Sequence, residues 1–353
     1  KQMKDIVTLR LRNHLLAAHG LKTPREVVAW MGAMQAQDYG MAKWAVGVRL
    51  PGATSGQVED ALGRGDIIRT HIMRPTWHMV AVEDVHWLMQ LTAPRIKPIV
   101  EGYYKRDAGL PPSVLLKATD VMLRALQGGK HLTRVELCRI AVEAGVPLNS
   151  RQAAHVLLHA ELDRLVCSGK VVSGKPAYCL LHERAPGTAA FDKDEALAKL
   201  AARYFRSHGP ATLPDFVWWS GLTVGEARRA LDFIRADFVC EKAGEQEYFY
   251  SEESLAHAEK TGDILLLPAF DELLVGYRDR KEMLTAEHYG RVISSNGIFK
   301  PFILHGARVA GTWRKVASAG GVQVKAEFFS SSGSALQRAA DKAAAAAEKF
   351  YAA

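Results

Sequence analysis

Cysteine is scarce in this 353-residue chain, and what there is has no pattern: Cys138, Cys167, Cys179 and Cys240 form no CxxC spacing. That removes the usual sequence basis for a thiolate zinc site or a disulfide framework, and the four read as small core residues of a reducing compartment. There is no secretory apolar segment and no apolar run of bilayer length, so a cytoplasmic protein is expected. His155 and His159 stand four apart, but no Glu follows His155 to make HExxH and no third ligand is evident. Neither a metal nor a cofactor is implied.

Apolar residues make up 48% of the chain and charged ones 24%, the balance of a folded protein, and the length allows two to four compact units. Lys and Arg exceed Asp and Glu by 46 to 38, a net +8 that modestly favours a polyanionic partner. The excess is uneven. Residues 1–110 hold 15 basic and 10 acidic side chains, so most of it falls in the first third.

A helix, turn, helix and hairpin pattern recurs. In "HLTRVELCRIAVEAGV", Thr133 and Glu136 make a capping box ahead of the apolar stripe Val135, Leu137 and Ile140, and Gly145 stops the helix. "SRQAAHVLLHAELDRLVCSGK" gives a second helix, and "KVVSGKPAYCLL" two short strands joined across Ser173 to Pro176. That order describes a winged helix. It returns after a helix from about Ala196 to Phe205, with capping boxes at Thr212/Asp215 and Thr223/Glu226 and "DFVCEKAGEQEYFYS" as the wing. An N-terminal copy has Thr23 as cap, Pro24 at the first helical position and Glu26 completing the box; "DIIRTHIMRPTWHMV" supplies its strands around Arg74 and Pro75. Beyond about Asp263 the composition changes to strand-like runs and a closing Ala-rich helix. The expected fold is α+β, with four segments: 1–110, 111–190, 191–255 and a β-rich 256–353.

The N-terminal copy carries the insertion "AQDYGMAKWAVGVRLPGAT", and the pair Gln35 and Gln37 opens it, at the end of a short apolar helix. A Gln carbonyl can accept a proton from water while its amide donates, so such a pair suits oriented water rather than strong acid or base chemistry. The plain alternative is two capping or solvated amides. Asp38 has two readings as well, a carboxylate supporting charge or a cap at the start of the insertion. Arg69 and Arg74 on the first wing, and Lys170 and Lys175 beside the second, suit phosphate contacts or ordinary solvated wings equally. His78 reads as a packed, hydrogen-bonded residue. Asp271 and Glu272 in "PAFDELL" read as a cap or salt-bridge pair, and Trp218 and Trp219 as core.

"MQAQDYG", "RTHIMRPTWHMV", "GPATLPDFVWWSGL", "LLLPAFDELLVGYRDR" and "NGIFKPFILHGARVAGTWR" together resemble the AlkZ-like winged-helix family of bacterial DNA glycosylases, which release alkylated purines and unhook interstrand crosslinks. The resemblance implies three tandem winged helices scaffolding a β-rich region around a basic channel for duplex DNA. Its Gln, apolar, Gln signature falls on Gln35, Ala36 and Gln37, with Ala36 smaller than the aliphatic residue often found there. It further implies hydrolysis of the N-glycosidic bond of N7-alkylated purines, by a monomer that associates with the nucleoid through damaged duplex. No lysine lies inside the motif, which favours a monofunctional enzyme. The competing reading is a non-catalytic winged-helix DNA-binding protein, either a transcriptional regulator or a lesion binder.

Overall fold

The computed structural model describes residues 6–107, 109–187, 190–255, 264–318 and 321–352. The described chain begins with α1 (Ile6–Asn13), α2 (Pro24–Met31), the two-residue strand β1 (Met34–Gln35), α3 (Tyr39–Gly47) and α4 (Ser55–Arg64). A hairpin of β2 (Ile67–Ile72) and β3 (Thr76–Ala81) leads into α5 (Val85–Asp107) and α6 (Pro112–Leu126). After these come β4 (Leu132–Thr133), α7 (Arg134–Glu143), α8 (Ser150–Leu162), β5 (Val166–Val172), β6 (Lys175–Leu180) and α9 (Leu181–Arg184). The chain continues through α10 (Lys193–Ser207), α11 (Leu213–Ser220), α12 (Val224–Ile234), β7 (Val239–Ala243) and β8 (Gln246–Tyr250). It closes with β9 (Ile264–Leu267), α13 (Glu272–Val275), α14 (Ala286–Val292), β10 (Phe302–His305), β11 (Arg308–Ser318), β12 (Gly321–Phe328) and α15 (Ser334–Ala352). The fold is α+β, as expected. The change of composition near Asp263 lies outside the described residues.

Contacts divide the chain into two compact units, one made of the chain up to Glu59 together with Leu197 onward, the other of Asp60–Ala196. In the second unit α6, α7 and α8 pack through Ala118, Met122, Leu137, Ala141, Val156 and Leu157. Thr133 and Glu136 form the expected capping box, and Asn149 with Gln152 forms another at the start of α8. β5 and β6 pair antiparallel, with β4 on the other edge of β6. Their turn is the two residues Ser173 and Gly174, at φ 49° and 74°. Positive φ at both central positions matches the right-handed twist of the strands it joins.

α5 runs 23 residues through Pro94 and Pro98. Each proline removes one backbone donor, so packing must hold the helix where hydrogen bonding is lost. Ala93, Ile96 and Val100 provide it by packing against Leu162 and Leu158 of α8.

In the first unit β12, β11, β10 and β9 form an antiparallel sheet in that order. α15 covers it with Ala340, Ala344, Ala347 and Phe350, spaced three and four apart on one face. The remainder packs around Tyr204, Phe205, Phe216 and Trp219. Capping boxes occur at Thr23, Thr212 and Thr223 as expected. Two readings are corrected. Cys240 is exposed rather than core, because β7 pairs only with β8 among the described residues and turns that side chain to solvent. Trp218 is 43% exposed while Trp219 is fully buried, since adjacent residues on a helix point in different directions.

Candidate active site

The glutamine pair does not lie at a helix end. α2 stops at Gly32, whose φ of 78° is open to glycine, and the chain extends through β1 before α3 begins. Gln35 is buried, Ala36 is fully buried, and Gln37 and Asp38 are exposed. Residues two apart on a strand share a face, so the split between buried Gln35 and exposed Gln37 arises where the chain leaves β1 after Gln35 and bends toward α3, with buried Ala36 between them.

Asp38 caps α3, its Oδ1 accepting from Met41 N at 2.9 Å. Capping ties the residue after Gln37 to a helix start, limiting how far the exposed amide can wander. Behind it, Tyr39 Oη and Lys43 Nζ both donate to Glu59, at 2.9 and 2.8 Å.

Beneath the motif lies Glu272. Its Oε1 accepts the Gln35 backbone N–H at 2.7 Å, and its Oε2 accepts Trp219 Nε1 at 2.9 Å, with His208 Nε2 at 3.4 Å. A buried carboxylate needs such donors to offset its lost hydration. Asp271 next door caps α13 and forms a two-pronged pair with Arg49 at 2.8 Å, both side chains fully buried. The cap and salt-bridge reading thus fits Asp271, whereas Glu272 supports the glutamine motif. Phe270, at φ 58°, makes the turn that presents both carboxylates.

Two histidines belong to the same interior. His14 Nε2 pairs with Tyr277 Oη at 2.8 Å, and the His14 and His208 rings meet edge to face at 4.6 Å. Burial holds both below the usual histidine range; Glu272 opposes the shift of His208.

On the outer side of the motif are two residues to which sequence reasoning assigned no role. Tyr351 Oη donates to Gly40 O at 3.1 Å, and Lys315 Nζ stands 4.1 Å from the Tyr351 ring centroid. A Cβ placed on Gly40 would sit 3.0 Å from Lys315 Nζ and 3.6 Å from Asp38 Oδ1, so the glycine leaves room for both. Nothing local in the sequence links positions 40, 315 and 351.

The basic residues belong to the second unit. Arg69 is 6% exposed and sits over Trp77, its guanidinium carbon 4.0 Å from the ring centroid, so it is no solvated wing residue. Its strand neighbour His71 pairs with the buried Glu161 at 2.6 Å. Arg74, in the turn between β2 and β3, is half-buried, whereas Lys170 and Lys175 are exposed on β5 and β6. Arg69, Trp77, Arg134, Ser168, Lys175 and Tyr178 line one groove of about 300 Å³. His78 is fully buried with Nδ1 3.0 Å from Thr76 O, a packed residue as read. Among the described residues no helix is long and apolar enough to cross a membrane, and no group of three or more His, Cys, Asp or Glu is placed to hold a metal ion.

Comparison with known proteins converges on one family. A curated relative, the interstrand DNA cross-link repair glycosylase of Streptomyces sahachiroi, is 25% identical over 338 residues, covering 89% of this chain and 88% of the relative. The solved structure of Streptomyces sahachiroi DNA glycosylase AlkZ superposes with a TM-score of 0.80 at 21% identity, covering 99% of this chain and 97% of that one, which establishes a shared fold. The family model described as DNA glycosylase AlkZ-like matches residues 28–350, nearly the whole chain including the glutamine motif, and the protein therefore belongs to the AlkZ-like DNA glycosylase family.

Proposed function

We propose that the protein hydrolyses the N-glycosidic bond of N7-alkylated purines in duplex DNA, and unhooks interstrand crosslinks built on that bond, as a monofunctional enzyme. The observation that carries this reading is the split character of the motif: Gln35 is fixed through its backbone to buried Glu272 while Gln37 faces outward beside a capped helix start.

An N7-alkylated purine is already cationic, so its departure needs no protonation. The remaining demands are a water held under the anomeric carbon and stabilisation of an oxocarbenium-like sugar, both matters of position and electrostatics. In this mechanism the C1′–N9 bond breaks with its electrons going to the cationic base, which leaves neutral. The Gln37 carbonyl accepts a hydrogen bond from the attacking water, whose surplus proton passes to solvent once the C1′–O bond has formed, and the Gln35 amide fixes the floor against which water and sugar are aligned. Because an amide is a very poor base, unactivated purines would be left alone. Asp38 acts as the cap, and hydrolysis by water calls for no cofactor.

The two helix–helix–hairpin assemblies α7–α8–β5–β6 and α11–α12–β7–β8, together with the N-terminal helices and β2–β3, are proposed as three winged helices in segments 111–190, 191–255 and 1–110. Arg74, Lys170 and Lys175 contact phosphates of the duplex in this reading, and Arg69 lines the groove that Lys175 also lines. A monomer suffices for all of these roles.

The test is release of free base from duplex containing one N7-methylguanine, with the protein in excess. Parent protein is expected to release base, and Gln37→Ala to slow release by about 100-fold, the scale for removing a positioning hydrogen-bond partner. DNA affinity should stay within a few-fold. Tight binding with release no faster than spontaneous loss would replace this reading with that of a non-catalytic DNA binder.

A further inference from the structure

The strongest unassigned feature beside the motif is Lys315. Its stem is half-buried between β11 and α15, and its ammonium rests 4.1 Å from the Tyr351 ring centroid, a cation–π contact that fixes where the charge sits. Tyr351 is itself tied to Gly40 O, and the Gly40 backbone approaches the ammonium closely enough that a Cβ there would lie 3.0 Å from Nζ. The cation is thereby placed three residues along the chain from exposed Gln37.

Charges around it are unevenly matched. Asp38, from the start of α3, draws the ammonium, but its Oδ1 is already engaged in capping Met41. Lys43, also on α3, opposes the ammonium's charge and is itself paired with Glu59 at 2.8 Å. Like any tyrosine, Tyr351, on α15, carries no charge at neutral pH, and burial raises its pKa further. Desolvation pulls Lys315 below the ordinary lysine range, with Asp38 opposing that shift and Lys43 adding to it. A cation that has already lost part of its water, and is already ordered, gains more from an arriving anion than a free surface lysine does.

We infer that Lys315 is a phosphate anchor, contacting a DNA phosphate that flanks the lesion nucleotide and so fixing the sugar against Gln37. The inference rests on the motif being where the base is released. It makes Lys315 a positioning residue, acting on the reaction through the DNA backbone.

The test uses the full chain and duplexes carrying either N7-methylguanine or a tetrahydrofuran abasic analogue at one position. Lys315→Met keeps an apolar stem on Tyr351, and Lys315→Arg keeps the charge. Expected for Lys315→Met is a slope of log affinity against log salt shallower by about one, with slower base release that Lys315→Arg restores. A single methylphosphonate next to the lesion should weaken binding of the parent and add nothing to Lys315→Met. Full additivity at both flanking phosphates, or an unchanged salt slope, would overturn the anchor. Because the abasic duplex reads binding without chemistry, absent base release with intact coupling would count against the glycosylase reading and leave the phosphate contact standing.

Discussion

Glu272 and Gln35, 237 positions apart in the chain, are joined by a 2.7 Å hydrogen bond from the Gln35 backbone N–H to the buried carboxylate. The glutamine motif is thus held from below by a residue of another segment. Glu272→Ala would leave Gln35 N and Trp219 Nε1 without this acceptor in the interior, and a hydrogen bond to a charged group contributes about 1.5–3 kcal/mol. Base release by the folded variant is expected to fall by about ten-fold or more, with DNA affinity held within about two-fold. Glu272→Gln, which still offers one oxygen, should recover part of the loss. Single-turnover rates at matched folded fraction decide it: a normal rate in a merely less stable Glu272→Ala would make the contact structural only.

Acid should loosen the same region. His14 and His208 have folded pKa values below the unfolded value near 6.5, so the unfolded chain binds protons more readily than the folded one. Their neutral burial therefore contributes stability in full above about pH 6.5, and that contribution is lost as pH falls from there toward the lowered folded values. Urea midpoints between pH 8 and pH 5 should decline for the parent and decline less steeply for His208→Gln. Parallel curves would assign the acid sensitivity to other groups.

Arg69 and Lys175 line one groove but should answer differently to substitution. Lys175→Ala, at an exposed site, is expected to leave stability within about 0.5 kcal/mol and to reduce the salt slope of DNA binding by about one. Arg69→Ala removes the cation stacked on Trp77 and should cost about 1 kcal/mol of stability instead. Fluorescence anisotropy across a salt series, beside thermal unfolding, separates them. The reverse pattern would identify Arg69 as the phosphate contact.

Gly47 closes α3 against the C-terminal helix. A Cβ at that position would fall 2.4 Å from the Phe350 ring, nearer than any real contact. Gly47→Ala is expected to destabilise by about 1–3 kcal/mol through overpacking, and Gly47→Ala with Phe350→Leu to recover part of it. Thermal melts of the three proteins measure this, and an unchanged midpoint for Gly47→Ala would show that the two helices separate freely.

Local signals in the sequence were sufficient for local structure. Thr23, Thr133, Thr212 and Thr223 each start a helix because cap and third residue satisfy one another within four positions. α5 was not among the elements read from the sequence: Pro94 and Pro98 each remove a helical donor, and the contacts that offset this come from α8. Asp38 could be read as a cap, but not the Lys315 and Tyr351 side chains that meet its helix. Arg69 on an alternating strand resembles any wing arginine until Trp77 is seen beneath it. Gln35 and Gln37 were legible as a pair, and the family resemblance decided between a catalytic role and plain capping amides. The burial of one and exposure of the other depend on the chain leaving the two-residue strand β1 between them, a break that so short a strand cannot announce.

The hydrogen bond from Tyr351 to Gly40 spans 311 positions. During synthesis the glutamine motif leaves the ribosome well before the tyrosine that braces its helix and the phenylalanine that packs against Gly47. The first compact unit is thus assembled from segments on either side of the second, and closes after the second has had time to form. A nascent chain would carry the motif long before it carried the brace, which ties the ordering of the motif helix to the synthesis of α15.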